Sequence, residues 1–336
     1  MNIHAALHRT AGFLHIILLL AAIIPSSCSN PVYTVCDGAM IGTTYHLSAQ
    51  LPSGNAADIR AAMRQLENEA RASMSIYDDN SLINRINRNE TDSLDEHILR
   101  NMLIARNIGE NIDNRYDITV RPLTEALGFT SKPAAENPDI DSLLSFVGYD
   151  KWYIDGGRVI KCDPRVQFDL NSVAKGYTVD MAARMLERRG AKNYLVEIGG
   201  EVRCRGVNPA GNPWTIGIDT PYEGNMSPGA SLSGTVVLTD KAVATSGNYR
   251  RFHLDADGRK IVHTINPRTG QSVSSRLLSA TVVTDECAVA DALATMFLAA
   301  GADDAMRLAQ EMRDSVGVFF ILDGGDDYQF FNTLDN

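Results

Sequence analysis

Apolar residues recur every three or four positions in four segments of the chain, which is the spacing that places them on one face of an α-helix. These segments cover residues 55–72, 95–110, 171–189 and 288–300. The last two are followed by Gly190 and Gly301, and glycine is a usual residue at the end of a helix. The third segment begins near Asn171 or Ser172. Its apolar positions are Val173, Tyr177, Met181 and Met185.

Other segments have the pattern of β-strands. Trp214, Ile216 and Ile218 alternate with polar or small residues, as in a half-buried strand. Further strands are predicted over residues 42–49, 194–198, 201–205, 234–238, 280–284 and 316–322. Residues 130–139 contain two prolines and indicate a surface loop. Because hairpins and helices are interspersed irregularly, the pattern predicts an α+β fold with mainly antiparallel sheets and packed helices.

The amino terminus has the pattern of an export signal. Residues 13–24 are apolar except for His15, Arg9 precedes them, and Pro-Ser-Ser-Cys28 follows. This run is shorter than the ~20 residues that span a bilayer, and a cysteine after small residues looks like a bacterial lipobox. We therefore expect a signal peptide over residues 1–27, a lipidated tether over 28–36 and one folded domain over 37–336. Secretion without lipid, with Cys28 an ordinary thiol, is the alternative.

A lipidated product would be held on a membrane face, and we expect the cell inner membrane, facing the periplasm. The formal charge of the 336 residues is −10, and it becomes −11 without residues 1–27, whose one charged residue is Arg9. Nucleic acid and anionic membrane surfaces are therefore poor candidates for ligands. The sequence contains no C-x-x-C pair, so the spacing of its cysteines gives no zinc signature. Disulfides and buried free thiols both remain open for the other cysteines: Cys36, Cys162, Cys204 and Cys287.

Two stretches combine residues that suit a phosphate ligand and a proton transfer. Asp169 and Lys175 flank the start of the third predicted helix, where free N–H groups favour anions. His263 lies at a predicted strand end, before the turn residues Asn266 and Pro267, and a histidine there could take a proton from a hydroxyl. The alternatives are a helix cap with a solvated lysine, and a structural histidine.

Two further stretches carry hydroxyl and carboxylate oxygens. Residues 244–251 run from a strand end into a glycine turn with hydroxyls and two arginines, and a surface hairpin is the alternative. Asp291 and Thr295 are spaced i and i+4, so their oxygens face the same way on a helix. Such hard oxygen ligands suit Mg²⁺. The alternative is a capping aspartate and a threonine bonded back to its own helix.

The order of these motifs resembles the ApbE family, the FAD:protein FMN transferases, from about Ile41 to Gly301. Each motif by itself is weakly specific, but so many motifs in the order of the family make a coincidence improbable. The motifs cover residues 42–45, 75–87, 116–123, 127–129, 169–180, 199–201, 244–250, 263–270 and 290–295. The resemblance implies an ApbE-like, T-fold-like single domain of two halves, with FAD in the cleft between them.

The resemblance also implies roles for individual residues. His263 would activate the acceptor hydroxyl, and Lys175 would offer positive charge. The metal ligands would be Ser172 through its backbone carbonyl, Asp291 and Thr295, with Ala294 adjacent. The FAD contacts would be Ile41, Tyr77, Leu127, Gly128, Phe129, Asp169, Lys175 and Ile265. Two residues depart from the family pattern: Ile41 stands where the family has Met, unless the register slips by one, and Asn266 stands where it has Asp.

The implied function is Mg²⁺-dependent transfer of the FMN part of FAD, a substrate here, to a Ser or Thr of an acceptor flavoprotein. A phosphoester bond would form and AMP would be released. The expected partners are exported or membrane-anchored redox subunits, whose identity the sequence leaves open together with the oligomeric state. Three alternatives remain: an FAD pyrophosphatase, a flavin-binding lipoprotein without catalysis, and a structural surface lipoprotein.

Overall fold

Strands and helices follow one another irregularly along the chain. The computed structural model describes residues 32–112, 114–130, 132–222, 225, 229–249, 252–255, 257–273 and 275–334. The strands within them are β1 (Tyr33–Met40), β2 (Thr43–Gln50), β3 (Trp152–Asp155), β4 (Arg158–Lys161), β5 (Asn193–Ile198), β6 (Glu201–Arg205), β7 (Trp214–Asp219), β8 (Leu232–Leu238), β9 (Ala242–Gly247), β10 (Phe252–Leu254), β11 (Lys260–Val262), β12 (Leu277–Thr284), β13 (Gly317–Asp323) and β14 (Tyr328–Asn332).

The helices lie mainly between β2 and β5 and between β12 and β13. They are α1 (Ala56–Met74), α2 (Leu82–Asn87), α3 (Glu96–Glu110), α4 (Arg121–Ala126), α5 (Ile140–Leu144), α6 (Ala174–Arg188), α7 (Cys287–Ala300) and α8 (Ala302–Glu311). Two short 3₁₀ helices are added at Ile118–Val120 and Tyr149–Lys151. The irregular order agrees with the predicted class.

One large antiparallel sheet organises the molecule. Its order is β1-β2-β5-β6-β9-β12-β13-β14, and three two-stranded sheets are formed by β3-β4, β7-β8 and β10-β11. The sheet consists of two halves of four strands that meet where β6 pairs with β9, and this pairing includes only two residues of each strand. The prediction of an α+β fold with mainly antiparallel sheets is confirmed.

Helices α6 and α7 pack against each other, and α7 also packs on β9 and β12. All residues of α7 are apolar except Asp291 and Thr295. A helix that is apolar on all sides is buried, and eleven of its residues are buried, including Asp291 at 4% exposure. Two polar side chains in such a helix therefore need a specific environment.

The capping residues explain why the first two predicted helices are correct. The Asn55 side chain accepts hydrogen bonds from the amides of Ala57 and Asp58, and Asp95 accepts one from the amide of Ile98. The third predicted helix begins later than expected. Residues 171–173 form a turn that precedes α6. The predicted start at 171 or 172 is therefore wrong by two or three residues.

The folded domain begins earlier than predicted. Residues 33–36, assigned to the tether, belong to β1, where Cys36 pairs with Leu47. Only Cys36 and Met40 are buried in β1, so this strand has no alternating apolar pattern that reveals it. The predicted signal peptide and Cys28 lie outside the described residues.

The cysteines of the described chain are free thiols. Cys36, Cys204 and Cys287 are buried, and Cys162 is exposed. Of the two states that the sequence left open, the structure has the thiol form at these four positions. Across the described residues, no helix combines the length and apolar character needed to cross a membrane.

Candidate active site

Two cavities adjoin each other at the start of α6. We call them the inner cavity, of about 290 Å³, and the outer cavity, of about 840 Å³. Asn171 and Lys175 line both. The predicted site residues in the inner cavity are Phe129, Asp169, Ser172, Lys175, His263, Ile265, Asp291 and Thr295. Those in the outer cavity are Ile41, Tyr77 and Lys175. The structure thus brings together residues that are up to 254 positions apart in the chain, from Ile41 to Thr295.

A glycine in the first turn of α6 allows α6 and α7 to approach each other closely. A Cβ atom at Gly176 would lie 2.3 Å from the carbonyl oxygen of Cys287 and 2.8 Å from the Cβ of Asp291. The Gly176 amide donates a hydrogen bond to Asp291 Oδ2 over 2.9 Å. The Lys175-Gly176 sequence therefore fixes one carboxylate oxygen of Asp291 against the start of α6.

The amino terminus of α7 is capped by a residue of α6. Asp180 accepts hydrogen bonds from the amides of Cys287 (3.1 Å) and Ala288 (3.0 Å). Its Oδ1 also pairs with Arg203 Nη1 on β6 at 2.6 Å. Because a carboxylate is stabilised at the start of a helix by free N–H groups, this contact sets the position of the helix that carries Asp291 and Thr295.

Oxygen atoms converge in the inner cavity. Asp291 Oδ1 has no hydrogen bond to any residue that the structure describes, while Oδ2 is held by Gly176. Thr295 Oγ1 lies 3.2 Å from Ser246 Oγ, and Ser172 Oγ lies 2.8 Å from the Tyr116 hydroxyl. The Ser172 hydroxyl is therefore engaged with Tyr116.

The donor set of this cavity is not the usual one for zinc. No group of three or more His, Cys, Asp or Glu that could hold a metal occurs in the described part of the chain. A metal here would bind Asp291 together with hydroxyl and carbonyl oxygens, which are the ligands of hard cations such as Mg²⁺.

Two buried carboxylates share one lysine at this site. Lys175 Nζ forms an ion pair with Glu201 Oε2 at 2.8 Å. Burial raises the pKa of Glu201, against the opposing effect of the Lys175 charge. Burial, with Glu201 nearby, raises the pKa of Asp291 well above its usual value. Burial alone would lower the pKa of Lys175, but the charges of Glu201 and Asp291 outweigh it and raise that pKa. The site is thus short of positive charge.

His263 lies directly after β11, as the sequence predicts, and is half-buried at the wall of the inner cavity. Its ring is edge-on to Phe129, with ring centroids 6.3 Å apart. Phe129 also contacts His253 of β10, at 5.0 Å between centroids. After His263, the Thr264 hydroxyl donates a hydrogen bond to Asn248 Oδ1 over 2.7 Å. This bond ties the hairpin to the end of β9.

The turn after His263 keeps the geometry that an aspartate would give it. Asn266 Oδ1 accepts a hydrogen bond from the Arg268 amide at 2.9 Å, and the Asn266 carbonyl accepts one from the Gly270 amide at 2.8 Å. An asparagine side chain forms this local turn as an aspartate does. The departure from the family pattern therefore changes the charge and keeps the turn.

In the outer cavity, the turn between β1 and β2 presents Ile41. Ile41 has φ of +44° and Gly42 of +78°, as in a tight two-residue hairpin turn. The Ile41 amide donates a hydrogen bond to Glu67 Oε1, whereas Met40 is buried in the core. Ile41 and not Met40 therefore lines the cavity. Positive φ is rare for a β-branched residue and indicates local strain.

Two of the predicted contact residues lie outside both cavities. Leu127 packs against the small apolar cluster that contains Ile265, and Gly128 is a turn residue with φ of +78°. Their neighbour Phe129 does line the inner cavity. Asp169 caps a turn rather than α6, since its Oδ1 accepts a hydrogen bond from the Asn171 amide. Of the three consecutive residues Leu127, Gly128 and Phe129, Phe129 is the one that lines a cavity in this structure.

Sequence reasoning assigned no role to four residues that build the site. Tyr116, Asp180, Glu201 and Ser246 all occur inside the motifs that carry the family resemblance. Each acts by contact with another site residue or with α7. Burial of a polar residue within a motif is the signal that would have found Tyr116, Asp180 and Glu201, and burial appears only with the fold. Ser246 is only half-buried, so this signal would not have singled it out.

The fold and the cavities define an α+β protein with an oxygen-rich cavity that one lysine also lines. The sequence profile of the ApbE family matches residues 41–320. The chain belongs to the ApbE family. A curated relative from Vibrio cholerae, named FAD:protein FMN transferase, is 30% identical over 305 residues, covering 88% of this chain and 90% of the relative. The family prediction from the motifs and the prediction of an enzyme are confirmed.

Solved structures agree with this membership. The flavin transferase ApbE from Vibrio cholerae superimposes with a TM-score of 0.77 at 29% identity, covering 90% of this chain and 97% of that one. The apo form of the flavinyl transferase ApbE from Pseudomonas stutzeri has a TM-score of 0.78 at 27% identity, covering 90% and 94%. The whole domain therefore shares the fold of these proteins.

Proposed function

We propose that this chain is a Mg²⁺-dependent FAD:protein FMN transferase, which moves FMN from FAD to a Ser or Thr hydroxyl of an acceptor protein and releases AMP. The observation that carries the proposal is that His263, Lys175 and Asp291, from three parts of the chain, line one cavity. The names of the relatives support FAD as the donor and a protein as the acceptor.

The oxygen atoms of the inner cavity fit Mg²⁺. Asp291, Thr295 and the Ser172 carbonyl would hold the ion, and Asp291 Oδ1 is not occupied by a hydrogen bond to a described residue. When bound, Mg²⁺ would polarise a diphosphate and offset the charge that develops on it. A buried carboxylate whose pKa is raised by burial is stabilised in its charged form by such a cation.

FAD would extend over both cavities. Lys175 lines each of them, so its ammonium group would lie beside the diphosphate that links the two halves of FAD. Phe129 and Ile265 would contact FAD in the inner cavity, and Ile41 and Tyr77 in the outer cavity. The Asn171 side chain, which lines both cavities, donates a hydrogen bond to the Tyr77 hydroxyl over 3.5 Å.

The proposed reaction forms one bond and breaks one. The acceptor oxygen bonds to the phosphorus on the FMN side, and the bond from this phosphorus to the bridging oxygen breaks, so that AMP leaves with the electron pair. His263 takes the proton of the attacking hydroxyl. Lys175 supplies fixed positive charge to the diphosphate oxygens. The flavin ring undergoes no redox change.

An acceptor-labelling assay tests the proposal. The enzyme is incubated with FAD, Mg²⁺ and a purified membrane-anchored redox subunit from the same organism, and covalent flavin fluorescence is measured after denaturing electrophoresis. Labelling that EDTA abolishes, and that is lost when the acceptor hydroxyl residue is replaced by Ala, is the expected result. Free FMN and AMP without labelling would contradict transfer and indicate hydrolysis. FAD binding without turnover would contradict catalysis.

We also propose that residues 1–27 are removed on export and that Cys28 carries the lipid anchor, which places the enzyme on the periplasmic face of the inner membrane. The support is the apolar run that ends in Ser-Ser-Cys28. Mass spectrometry of the mature protein should find a diacylated Cys28. Cys28→Ala should move the protein to the soluble fraction, and continued membrane association would contradict the anchor.

A further inference from the structure

Glu201 is a buried carboxylate with no role in the proposed reaction. It is the first residue of β6 and follows the turn of Gly199 and Gly200, whose φ angles are +60° and +102°. Pairing of Ile198 with Glu201 closes this hairpin. The Glu201 residue is 1% exposed. Burial of an unpaired carboxylate destabilises the folded state by several kcal/mol. The residue that pairs with Glu201 therefore indicates the role of Glu201.

That partner is Lys175, on the first turn of α6. The Lys175 ammonium forms an ion pair with Glu201 Oε2 at 2.8 Å and donates a hydrogen bond to the Gly199 carbonyl at 3.4 Å. Both contacts come from the β5–β6 turn. A lysine side chain has about 2 kcal/mol of rotamer entropy, and these two contacts hold it in one position between the inner and outer cavities.

The pairing also determines what Lys175 does not bind. Asp291 lines the same inner cavity as Lys175 and its charge raises the pKa of Lys175, yet the ion pair of Lys175 is with Glu201. Asp291 Oδ2 instead accepts a hydrogen bond from the Gly176 amide, and Asp291 Oδ1 has no hydrogen bond to the described residues. After Glu201, Asp291 is the carboxylate whose charge acts most strongly on Lys175.

We propose that Glu201 is a positioning residue that holds Lys175 at the junction of the two cavities and thereby keeps Asp291 available to a divalent cation. This inference rests on the proposed function, because it assigns Lys175 to the diphosphate and Asp291 to the cation. Without the Glu201 charge, Lys175 turns to Asp291 and neutralises it. Cation binding then weakens, although no cation ligand has been changed.

Metal binding to the wild type and three variants tests this inference without measuring turnover. Mn²⁺ alone, which also prefers oxygen ligands, is titrated and followed by electron paramagnetic resonance. Glu201→Gln keeps the shape of the side chain and is expected to weaken Mn²⁺ binding by about tenfold, which is about 1.4 kcal/mol. Lys175→Met together with Glu201→Gln removes the competing ammonium and is expected to restore binding. Equal weakening in the single and double variants would overturn the inference.

The matched control also loses a glutamate that links α6 to β6. Glu187 on α6 pairs with Arg205 on β6 at 3.5 Å, and neither residue lines the cavities. Glu187→Gln should bind Mn²⁺ as the wild type does. Unchanged Mn²⁺ binding in Glu201→Gln would refute the positioning role of Glu201 and would leave the proposed function untouched. Failure of the wild type to bind Mn²⁺ would instead refute the metal site of the proposed function.

Discussion

The two sides of the inner cavity are built differently. The core side, formed by α6, α7 and β6, carries Asp291 and Glu201 at 4% and 1% exposure. Its polar groups are held by partners from other elements: Gly176 for Asp291 and Lys175 for Glu201. The hairpin side, formed by β10, β11 and the residues up to His263, pairs over only three residues of each strand.

This difference teaches which part of the site is rigid. A buried carboxylate must be fixed by partners, because an unpaired one costs several kcal/mol. A small two-stranded sheet is marginally stable by itself and opens at low cost. We therefore expect the core side to hold a constant geometry for the cation and diphosphate. The hairpin side, which presents His263, can adjust to acceptor proteins of different shape.

The strongest test of the core side is Asp291→Asn. The amide still accepts the Gly176 hydrogen bond but removes the charge that a cation needs, so transfer should fall to the rate without enzyme. The melting temperature should stay close to that of the wild type, since a neutral amide is less costly to bury than a carboxylate.

Asp285→Asn is the control for this prediction. Asp285 precedes α7, is exposed and pairs with Lys241 at 2.5 Å, so its loss should leave the rate unchanged. Initial rates of acceptor labelling, with the melting temperature of each variant, check both expectations. Full activity of Asp291→Asn would remove this residue from the cation site.

His263→Ala tests the hairpin side. Loss of a general base lowers the rate by about 10²–10⁴-fold, and the half-buried position of His263 predicts little change in stability. His253→Ala is the matched control, because His253 contacts the same Phe129 ring but does not line the inner cavity. The kcat values of the two variants are compared. Equal losses of kcat would assign both histidines to packing around Phe129.

Helix α7 was the part of the core side that the sequence predicted best. In α7 only Asp291 and Thr295 are polar, so the i and i+4 spacing was visible in the sequence. The apolar spacing of α1 and α3 was equally clear, with a capping residue at the start of each. The apolar periodicity of a helix and the spacing of two residues one turn apart depend only on neighbouring residues, so the sequence is enough to predict them.

What the sequence did not predict depends on contacts between distant segments. Glu201 and Asp180 are ordinary polar residues in the sequence, and only the packing of α6 against β6 and α7 gives them partners. β1 has two buried residues four positions apart, so its apolar pattern is not that of a strand. Leu127 and Gly128 were assigned from the resemblance, and the turn after α4 directs only Phe129 to the cavity.

A smaller effect is expected from Asp117, which extends the core side and lines the inner cavity. Burial raises its pKa to about 6 in the folded protein, against the hydrogen bonds from Thr119. The folded state then holds the proton more tightly than the unfolded state, whose value is 3.8. Stability therefore falls as the pH rises from about 4 to about 6, by up to about 3 kcal/mol.

Asp117→Asn removes this titration. The asparagine oxygen can still accept the hydrogen bond from the Thr119 amide, so the variant should gain stability relative to the wild type across the same pH range. Urea unfolding at pH 4, 5, 6 and 7 measures the difference. A difference that does not change with pH would show that Asp117 does not titrate in this range.

The contact between α6 and α7 gives the last prediction. In Gly176→Ala the new carbon would lie 2.3 Å from the Cys287 carbonyl oxygen, a backbone atom that cannot move without α7. Overpacking of this kind costs about 1–3 kcal/mol, and a shift of about 1 Å in a reacting group lowers a rate by about 10²-fold. Urea unfolding and the labelling rate should therefore both change.

Gly234→Ala provides the comparison for that variant. The added carbon would lie 3.3 Å from the tip of the Phe319 ring, a side chain that can move, and β8 is outside both cavities. Its stability should change less than that of Gly176→Ala, and its labelling rate should be that of the wild type. A Gly176→Ala variant that loses stability but keeps the full rate would contradict this prediction. The position of Asp291 would then not depend on the contact of α6 with α7, and the core side would be less rigid than the hydrogen bond from Gly176 to Asp291 indicates.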